Sequence, residues 1–207
     1  MAFLVCGGFG GESGLRKVGL GGIHPLTQRY SFGGNMSMTE VEKALDEYAK
    51  GYNSLWSIVN KQDSEFPSGS ISPGSIAEYF AKKYLEEKFP DCKVEYGKAN
   101  ERSWDIRVLS NNIDIRYQVK SNSLFNQSRT LSKLVKGFDQ LIVISLDCDF
   151  FPYQAYLFET VDHLFANSNY PVLTVPNPDN DKQKGSKAFK QAINIHEEFF
   201  GNLANKL

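Results

Sequence analysis

The feature that most constrains the fold is a pair of short alternating segments within SWDIRVLSNNIDIRYQVKSN, residues 103–122. Apolar and polar residues alternate along both segments, and this period of two is typical of strands with one covered face. Ser110 and the two asparagines after it separate the segments and favour a turn. The stretch therefore predicts two neighbouring strands of a sheet, around which the rest of the chain is organised.

The second of these strands carries a polar pair on one face. Because side chains alternate across a strand, Gln118 and Lys120 share one face of the sheet. Tyr117 and Val119 share the opposite face. Asp105 lies on the first strand, where pairing brings its carboxylate beside the polar face. An acid, an amide and a lysine that converge on a sheet indicate a site for chemistry, and the alternative is a polar ladder on a half-exposed sheet.

Further helices and strands are predicted on both sides of this stretch. A nearly continuous apolar run, QLIVISLD at 140–147, is typical of a strand buried on both faces. The predicted helices lie at 39–60, 74–89, 130–138 and 187–205, and further strands lie at 92–99 and 153–160. This order predicts one α/β domain over residues 38–207, in which a central mixed sheet at 75–159 is flanked by helices. The helices at 39–60 and 187–205 are accessory to that core.

Residues 1–37 are rich in glycine and lack the periodicity of a helix or a strand. The start, FLVCGGFGG, imitates a strand followed by a dinucleotide-binding loop, but Ser13 stands where the third glycine is required. We therefore expect a poorly ordered extension here and no nucleotide site.

Composition excludes several classes of protein. With 41% hydrophobic and 23% charged residues, the chain has the composition of a globular protein. No apolar run reaches the roughly 20 residues that a membrane helix requires, so we expect no membrane association. Three scattered cysteines, Cys6, Cys92 and Cys148, lack the spacing of a zinc site. We therefore expect the three cysteines to be reduced thiols in a cytoplasmic protein.

The charge distribution is more informative than the total charge. A net charge of −1 carries no general signature of nucleic-acid binding. Residues 115–138 nevertheless contain no acid. The basic residues in this window are Arg116, Lys120, Arg129, Lys133 and Lys136. A phosphate backbone would be attracted to such a region, although a solvated basic helix face has the same pattern.

Two predicted helices carry residues that bear on function. In the first, capped by Thr39 and Glu42, apolar residues recur at steps of three and four. They predict one buried stripe, packed on the core or on a second copy of the chain: Val41, Leu45, Tyr48, Tyr52, Leu55 and Val59. In the second, Glu78 lies at the border of the apolar face, where a role in a site competes with an exposed ion pair to Lys82.

Together, Glu78 in GSIAEYFAKKYL, Asp105 in SWDIR and the Gln-Val-Lys triplet at 118–120 resemble the PD-(D/E)xK nuclease superfamily. The resemblance covers residues 75–159. Asp105 matches the first acid of the motif, the triplet matches its (D/E)xK element, and Glu78 matches the helix glutamate of many members. Trp104 replaces the proline of the motif. The triplet begins with Gln in place of the second acid, a QxK variant that is similar to Mrr-like and type II restriction enzymes.

The resemblance implies a restriction-endonuclease-like fold with an αβββαβ core and extra N- and C-terminal helices. It implies a Mg²⁺ site, with Mn²⁺ as a substitute, beside a catalytic Lys120. The implied ligands are Asp105, Glu78, the Gln118 amide oxygen and the Val119 carbonyl. The expected DNA contacts are Ser121, Asn122, Ser123, Arg129, Lys133, Lys136, Lys98 and Arg102.

The expected function is that of a Mg²⁺-dependent endonuclease acting on double-stranded DNA, in particular a type II-like restriction enzyme. Such an enzyme is expected to be a homodimer, since two strands require two sites. A cognate DNA methyltransferase in the same system is a further expected partner. Two alternatives remain open: a repair or junction nuclease of the same fold, and a catalytically silent module that binds DNA or protein.

Overall fold

The computed structural model describes residues 39–61, 64–98, 101–124, 128–180 and 182–203. The glycine-rich residues 1–37, for which an extension is expected, lie outside the described residues. The chain divides into two compact units, Met1–Ala44 and Leu45–Leu207, and the sheet belongs to the second. Nowhere in the described ranges is there a helix both long and apolar enough to cross a membrane.

The second unit contains a mixed sheet of six strands with helices packed against it. Along the described chain the elements are α1 (Glu40–Val59), α2 (Pro73–Lys88), β1 (Lys93–Tyr96), β2 (Ile106–Leu109), β3 (Asp114–Ser123), β4 (Gln140–Leu146), β5 (Pro152–Phe158), β6 (Ile193–Asn194) and α3 (His196–Leu203). Short 3-10 helices cover Asp162–Phe165 and Lys187–Lys190. The strands lie side by side in chain order, with β3 and β4 parallel and the other described neighbours antiparallel. The predicted α/β class with a mixed central sheet is confirmed.

Helix α2 begins at a capped end and covers one face of the sheet. The Ser72 hydroxyl accepts from the Ser75 N–H, the Ser75 hydroxyl accepts from the Ser72 N–H, and Pro73 occupies the first turn. Such a cap stabilises a helix by about 1 kcal/mol. The helix then buries Ala77, Ala81, Tyr84 and Leu85 against the sheet. This packing fixes Glu78, which follows Ala77, at the margin of the covered face.

Strand β4 supplies core residues to both faces of the sheet. Ile142 and Ile144 pack on the α2 side, whereas Leu141 and Val143 pack on the opposite side. All four are fully buried, which confirms the prediction of a strand covered on both faces. The core on the opposite side also includes Leu131, Leu134, Phe138, Tyr156, Phe158, Leu173, Val175 and Phe189.

The helix predicted over residues 130–138 is absent, and this part of the prediction is wrong. The segment instead pairs with residues 171–175 through N–H to carbonyl bonds from Leu131 and Leu134. Gly137, at a φ of 129°, has a backbone conformation that no α-helix contains. The Leu131 and Leu134 side chains are nevertheless buried. Burial is therefore predicted correctly for Leu131, Leu134 and Phe138, whereas Val135, which the helical period also placed inward, is exposed.

The single helix predicted over residues 187–205 is also wrong. A 3-10 helix, the strand β6 and the short helix α3 occupy this range. Strand β6 pairs with β5 at the edge of the sheet. Directly after it, the Asn194 Oδ1 accepts from the His196 N–H at the start of α3. Pairing with the sheet thus outweighs the local helical pattern.

Helix α1 forms at the predicted place, but its apolar stripe is not buried as a whole. The expected capping box is present, because the Thr39 N–H donates to the Glu42 carboxylate and the Glu42 N–H donates to the Thr39 hydroxyl. Of the residues in this helix, Val59 alone is buried, whereas Leu45 and Tyr48 are exposed. Packing on the core therefore explains only the C-terminal part of the stripe.

Candidate functional site

Strands β2 and β3 separate at the predicted site. Their ladder ends at the pair formed by Ile106 and Tyr117, and one further bond joins the Asp105 N–H to the Tyr117 carbonyl at 2.8 Å. Beyond it, the Asp105 side chain takes the place of a partner strand, since its Oδ2 accepts from the Val119 N–H at 2.7 Å. The carboxylate is thereby fixed beside β3 at the point where the two strands diverge.

The Val119 carbonyl lies at the same opening. In a strand, the N–H and the C=O of one residue point toward the same neighbouring strand. The Val119 carbonyl therefore lies on the side where its N–H meets Asp105. Its side chain points away, into the core under α2. Val119 thus contributes backbone atoms to the site.

Gln118 is buried one residue earlier and has an unsatisfied side-chain oxygen. The residue is 2% exposed, and within the described structure its Oε1 has no hydrogen-bond partner. A buried polar atom without a partner costs about 1–3 kcal/mol. Native proteins keep such an atom mainly where a ligand or an ordered water completes it. The Gln118 oxygen is therefore a candidate ligand.

Glu78 reaches the same site from α2. Burial, and then repulsion from the Asp105 carboxylate, raise the pKa of Glu78 to about 7, against a smaller lowering by Lys120. Burial also raises the pKa of Asp105, and the Val119 N–H bond and the Lys120 charge oppose that shift. Lys120 thus acts on both carboxyl groups, and Glu78 and Asp105 line the same cavity.

The two acids line a cavity of about 170 Å³. Its other lining residues are Pro67, Ser68, Tyr96, Gly97, Lys98, Glu101 and Trp104. Gly97 permits a close approach of the chain here, since a Cβ at this position would lie 2.9 Å from the Trp104 carbonyl oxygen. The carboxyl groups of Glu78 and Asp105 are therefore largely buried and yet adjoin open space.

Sequence reasoning misses Glu101 and Tyr96 at this cavity. Glu101 accepts from the Ser103 hydroxyl at 2.5 Å, and its charge is one of the influences that raise the pKa of Asp105. Tyr96 donates its hydroxyl hydrogen to the Glu65 carbonyl. Glu101 lies in a loop, where no periodicity marks it, whereas Tyr96 ends a predicted strand directly before Gly97. That neighbouring glycine is a signal of close approach that the sequence does contain.

Three of the predicted DNA contacts have structural partners. Asn122 and Ser123 are 7% and 2% exposed, and the Asn122 Oδ1 accepts from the Ser145 hydroxyl at 2.7 Å. The Arg129 guanidinium donates to two backbone carbonyls of the loop at 175–183. The prediction of DNA contacts at Asn122 and Ser123 is therefore corrected, because both side chains are buried. Arg129 holds a loop in place.

The other predicted contacts reach the surface. Lys98, Arg102, Lys133 and Lys136 are exposed, and Ser121 is half-buried. Of these, Lys98 lines the cavity beside the two acids. Arg116 does not add a free charge to this surface, since its guanidinium is paired with Asp139 at 3.1 Å. The basic window of the sequence therefore leaves a smaller basic surface than its composition suggests.

The donor set at the opening fits a hard divalent cation. Within the described residues, no three His, Cys, Asp or Glu side chains form a group able to hold a metal, so a site depends on other oxygen atoms as well. The unpartnered Gln118 Oε1 and the Val119 carbonyl are candidates for this part, and neither residue is among those that line the cavity of the two acids. The carboxyl groups of Asp105 and Glu78 complete the set. Mg²⁺ prefers such oxygen ligands and usually takes one or two carboxylates from a protein.

No protein-family model and no curated protein sequence matches this chain. Among solved structures, one match is a bacterial homing endonuclease, I-Ssp6803I, at 19% sequence identity and a TM-score of 0.38. The match covers 64% of this chain and 94% of that chain. A similarity of this size carries no functional argument, so the function is inferred from the residues of the site.

Proposed function

We propose that the chain is a Mg²⁺-dependent endonuclease that hydrolyses phosphodiester bonds in double-stranded DNA. The observation that carries the proposal is the opening between β2 and β3, where Asp105 is tied to the Val119 N–H and the adjacent Gln118 has a buried oxygen without a partner. Glu78 and Lys120 interact electrostatically with the same carboxylate. Oxygen ligands for a cation, set beside one fixed ammonium group, suit the hydrolysis of a phosphodiester.

Each residue has a distinct part in the proposed reaction. Asp105, Glu78, the Gln118 Oε1 and the Val119 carbonyl are the groups that would hold the ion. When bound, Mg²⁺ supplies the activation of a water molecule and the neutralisation of charge on the scissile phosphate. The Lys120 ammonium, carried on a strand, stabilises negative charge that develops on the phosphate oxygens. The Val119 N–H keeps Asp105 oriented before substrate arrives.

Glu78 makes ion binding dependent on pH. With a pKa of about 7, its carboxyl group is only partly ionised at neutral pH. A cation requires the ionised form, so that binding releases a proton. The affinity for Mg²⁺ therefore increases as the pH rises through the pKa of Glu78.

Incubation of supercoiled plasmid DNA with the protein and Mg²⁺ tests the proposal. The wild type is expected to cut, and Asp105→Ala and Lys120→Ala are each expected to cut about 10²–10³-fold more slowly. Two matched controls are expected to keep full activity. Asp114→Ala removes an exposed acid of β3 that is paired with Arg107, and Lys190→Ala removes an exposed lysine remote in sequence.

The products of cleavage distinguish the two kinds of nuclease that the proposal includes. Discrete fragments support a type II-like restriction enzyme, and cleavage of branched DNA alone supports a repair or junction nuclease. If the wild type cuts none of these substrates with Mg²⁺ or Mn²⁺, the proposal fails. It also fails if Asp114→Ala loses as much activity as Asp105→Ala.

One observation favours a second candidate, a catalytically silent module that binds DNA or protein. Gln118 stands where the resembled motif has its second acid, so Glu78 and Asp105 are the carboxyl groups that interact with Lys120. This candidate predicts that the wild type retards DNA in a gel without cutting it. Addition of Mg²⁺ then changes neither the retardation of the DNA nor the absence of cleavage.

The proposal of a type II-like restriction enzyme also implies a cellular location and partners. A type II-like enzyme would work in the cytoplasm as a homodimer, because two strands require two sites. A methyltransferase of the same specificity would protect the DNA of the cell. Expression of the wild type without it is then expected to damage host DNA, and expression of Lys120→Ala is not.

A further inference from the structure

Helix α1 carries an apolar seam that the described part of its own chain covers only in part. The positions alternate at steps of four and three, an average of 3.6 residues that keeps them on one face of the helix. Leu45 and Tyr48 are 43% and 69% exposed, whereas Val59 is buried near the other end. The complete seam consists of Val41, Leu45, Tyr48, Tyr52, Leu55 and Val59.

The rest of the helix surface agrees with a helix–helix contact. Ala49 and Gly51 flank the middle of the seam, and both are small enough for a second helix to approach closely. A Cβ at Gly51 would meet no atom within 4 Å. The face opposite the seam is polar and includes Asp46, Lys50, Asn53 and Ser57. Trp56 and Ile58, which are 41% and 43% exposed, extend the apolar surface beside the C-terminal part of the seam, and the polar face opposite is the one expected of an amphipathic helix.

The seam reads the same in both directions, as Val-Leu-Tyr-Tyr-Leu-Val. Two copies of α1 that cross antiparallel therefore place Leu45 opposite Leu55 and Tyr48 opposite Tyr52. The same contacts recur on the other side of the axis. A two-fold interface requires this reciprocity, because a contact of residue i with residue j must be matched by one of j with i. An unrelated helix has no need of a palindromic seam, so the pattern specifies a second copy as the occupant.

Two cavities lie beside the seam, where other segments of the chain approach α1. A cavity of about 430 Å³ is lined in part by Tyr48, Tyr52 and Leu55 of α1 and by Phe150 of the turn after β4. A second cavity, of about 450 Å³, shares Leu55 and Phe150. Both adjoin apolar side chains, so they can receive the partner subunit's Leu45 as two helices approach.

We infer that α1 is a dimerisation helix, through which two copies of the chain associate antiparallel about a two-fold axis. The central contacts join Tyr48 to Tyr52 of the partner subunit and Leu45 to Leu55 of the partner subunit. The inference goes beyond the proposed nuclease activity, because it names the surface and does not depend on the site. A dimer that cuts no DNA supports it and contradicts the proposed function, so the two fail separately.

Sedimentation velocity of the full chain over a range of concentrations tests the inference. The wild type is expected to dimerise, and Tyr48→Glu and Leu45→Glu are each expected to weaken dimerisation by at least about 30-fold, the effect of losing an interface anchor. Asn53→Glu, on the polar face of the same helix, is the matched control and is expected to leave the dimer intact. Leu45 and Tyr48 are exposed, so circular dichroism is expected to show an unchanged fold.

Disulfide cross-linking tests the direction of pairing. In a chain with Cys6 and Cys148 replaced by Ser, the Leu45→Cys and Leu55→Cys variants are expected to cross-link when mixed and not when kept apart. Along one helix the two positions are about 15 Å apart, which exceeds the roughly 7 Å between Cα atoms that a disulfide spans. In the antiparallel pair, the two copies of position 45 therefore lie too far apart to be joined. A monomeric wild type, a Tyr48→Glu variant that stays fully dimeric, or cross-linking of Leu45→Cys with itself each overturns the inference.

Discussion

Asp105 combines a structural and a chemical part in one side chain. Its Oδ2 accepts the Val119 N–H that a partner strand would otherwise bind, and its Oδ1 remains for a ligand. Burial raises the pKa of the Asp105 carboxyl group, while the Val119 bond and the Lys120 charge oppose that shift. The Val119 bond that fixes the position of Asp105 thus also acts on the pKa of its carboxyl group.

The variant Asp105→Asn separates these two parts. An amide oxygen can still accept from the Val119 N–H, so the free energy of unfolding is expected to change by less than about 1 kcal/mol. Cleavage with Mg²⁺ is expected to fall by about 10²–10³-fold. Asp105→Ala also removes the acceptor and is expected to cost about 1–3 kcal/mol of stability. Urea denaturation and the plasmid assay measure both effects, and equal destabilisation by the two variants would contradict the assignment.

Glu78 predicts a dependence of stability on pH in the absence of metal. Its pKa is raised from 4.5 to about 7 in the folded protein, whereas unfolding returns the carboxyl group to its ordinary value. Between these two values the folded state binds more protons than the unfolded state. Below about pH 4.5, Glu78 therefore does not lower the free energy of unfolding. As the pH rises to 7 and beyond, its ionisation lowers that free energy by up to about 3 kcal/mol.

Urea denaturation in EDTA at several pH values between about 5 and 8 measures this effect. Glu78→Gln is expected to flatten the decline in the free energy of unfolding, because the amide does not ionise. The exposed Glu159→Gln is the matched control and is expected to keep the wild-type slope. A wild type and a Glu78→Gln variant with the same slope would show that Glu78 is not the group responsible.

Among the connections between elements, the segment from β3 to β4 depends on Gly137. This residue has a φ of 129°, and a Cβ here would lie 2.5 Å from the Ser103 Cβ. Gly137→Ala is therefore expected to lower the free energy of unfolding by at least about 2 kcal/mol. Cleavage is expected to fall as well, since Ser103 precedes Asp105 by two residues.

Gly51→Ala, where nothing obstructs a Cβ, is expected to raise the free energy of unfolding by up to about 1 kcal/mol in the urea denaturation assay.

The strands around the site are predictable from the sequence because alternation is a local signal. The stretch at 130–138 misleads for the opposite reason. Its apolar residues have helical spacing, but the partner that determines their structure is the segment at 171–175, far along the chain. The stretch at 187–205 fails in the same way, since pairing with β5 replaces part of the expected helix. Local periodicity predicts the burial of some residues, such as Leu131, Leu134 and Phe189, but not the exposure of Val135 and Ile193, and it gives no information about the partner.

The candidate site divides along the same line. Alternation predicts Gln118 on β3 and Asp105 on the neighbouring strand, whereas Asp105 lies directly before β2 and is bonded to the Val119 N–H. Asn122 continues the same strand and is buried all the same, because β4 brings the Ser145 hydroxyl to its side chain. Glu101 belongs to a loop, where sequence periodicity has no meaning. Alternation thus predicts which face of a strand a residue occupies, and the tertiary contacts that cover a residue such as Asn122 do not follow from the sequence.

For the molecule as a whole, a net charge of −1 means that attraction to DNA has to come from a local surface. Lys133→Ala and Lys136→Ala are each expected to weaken binding to DNA of any sequence and to reduce the slope of log K against log salt by about 1. Lys190→Ala, which is also exposed, is expected to leave the slope unchanged. Fluorescence anisotropy with a labelled duplex, in EDTA to prevent cleavage, gives the slopes. Unchanged slopes for both variants would place the DNA elsewhere.

The order of the strands has a consequence for how the chain reaches this structure. From β1 to β3, and again from β4 to β5, each strand pairs antiparallel with the next, and contacts of this kind close short loops early in folding. The parallel pairing of β3 with β4 requires a longer connection and a later encounter. Gln118 meets Leu141 across that pair. We therefore expect the Gln118 side chain to become buried only when β4 pairs with β3, after the neighbouring antiparallel strands have met.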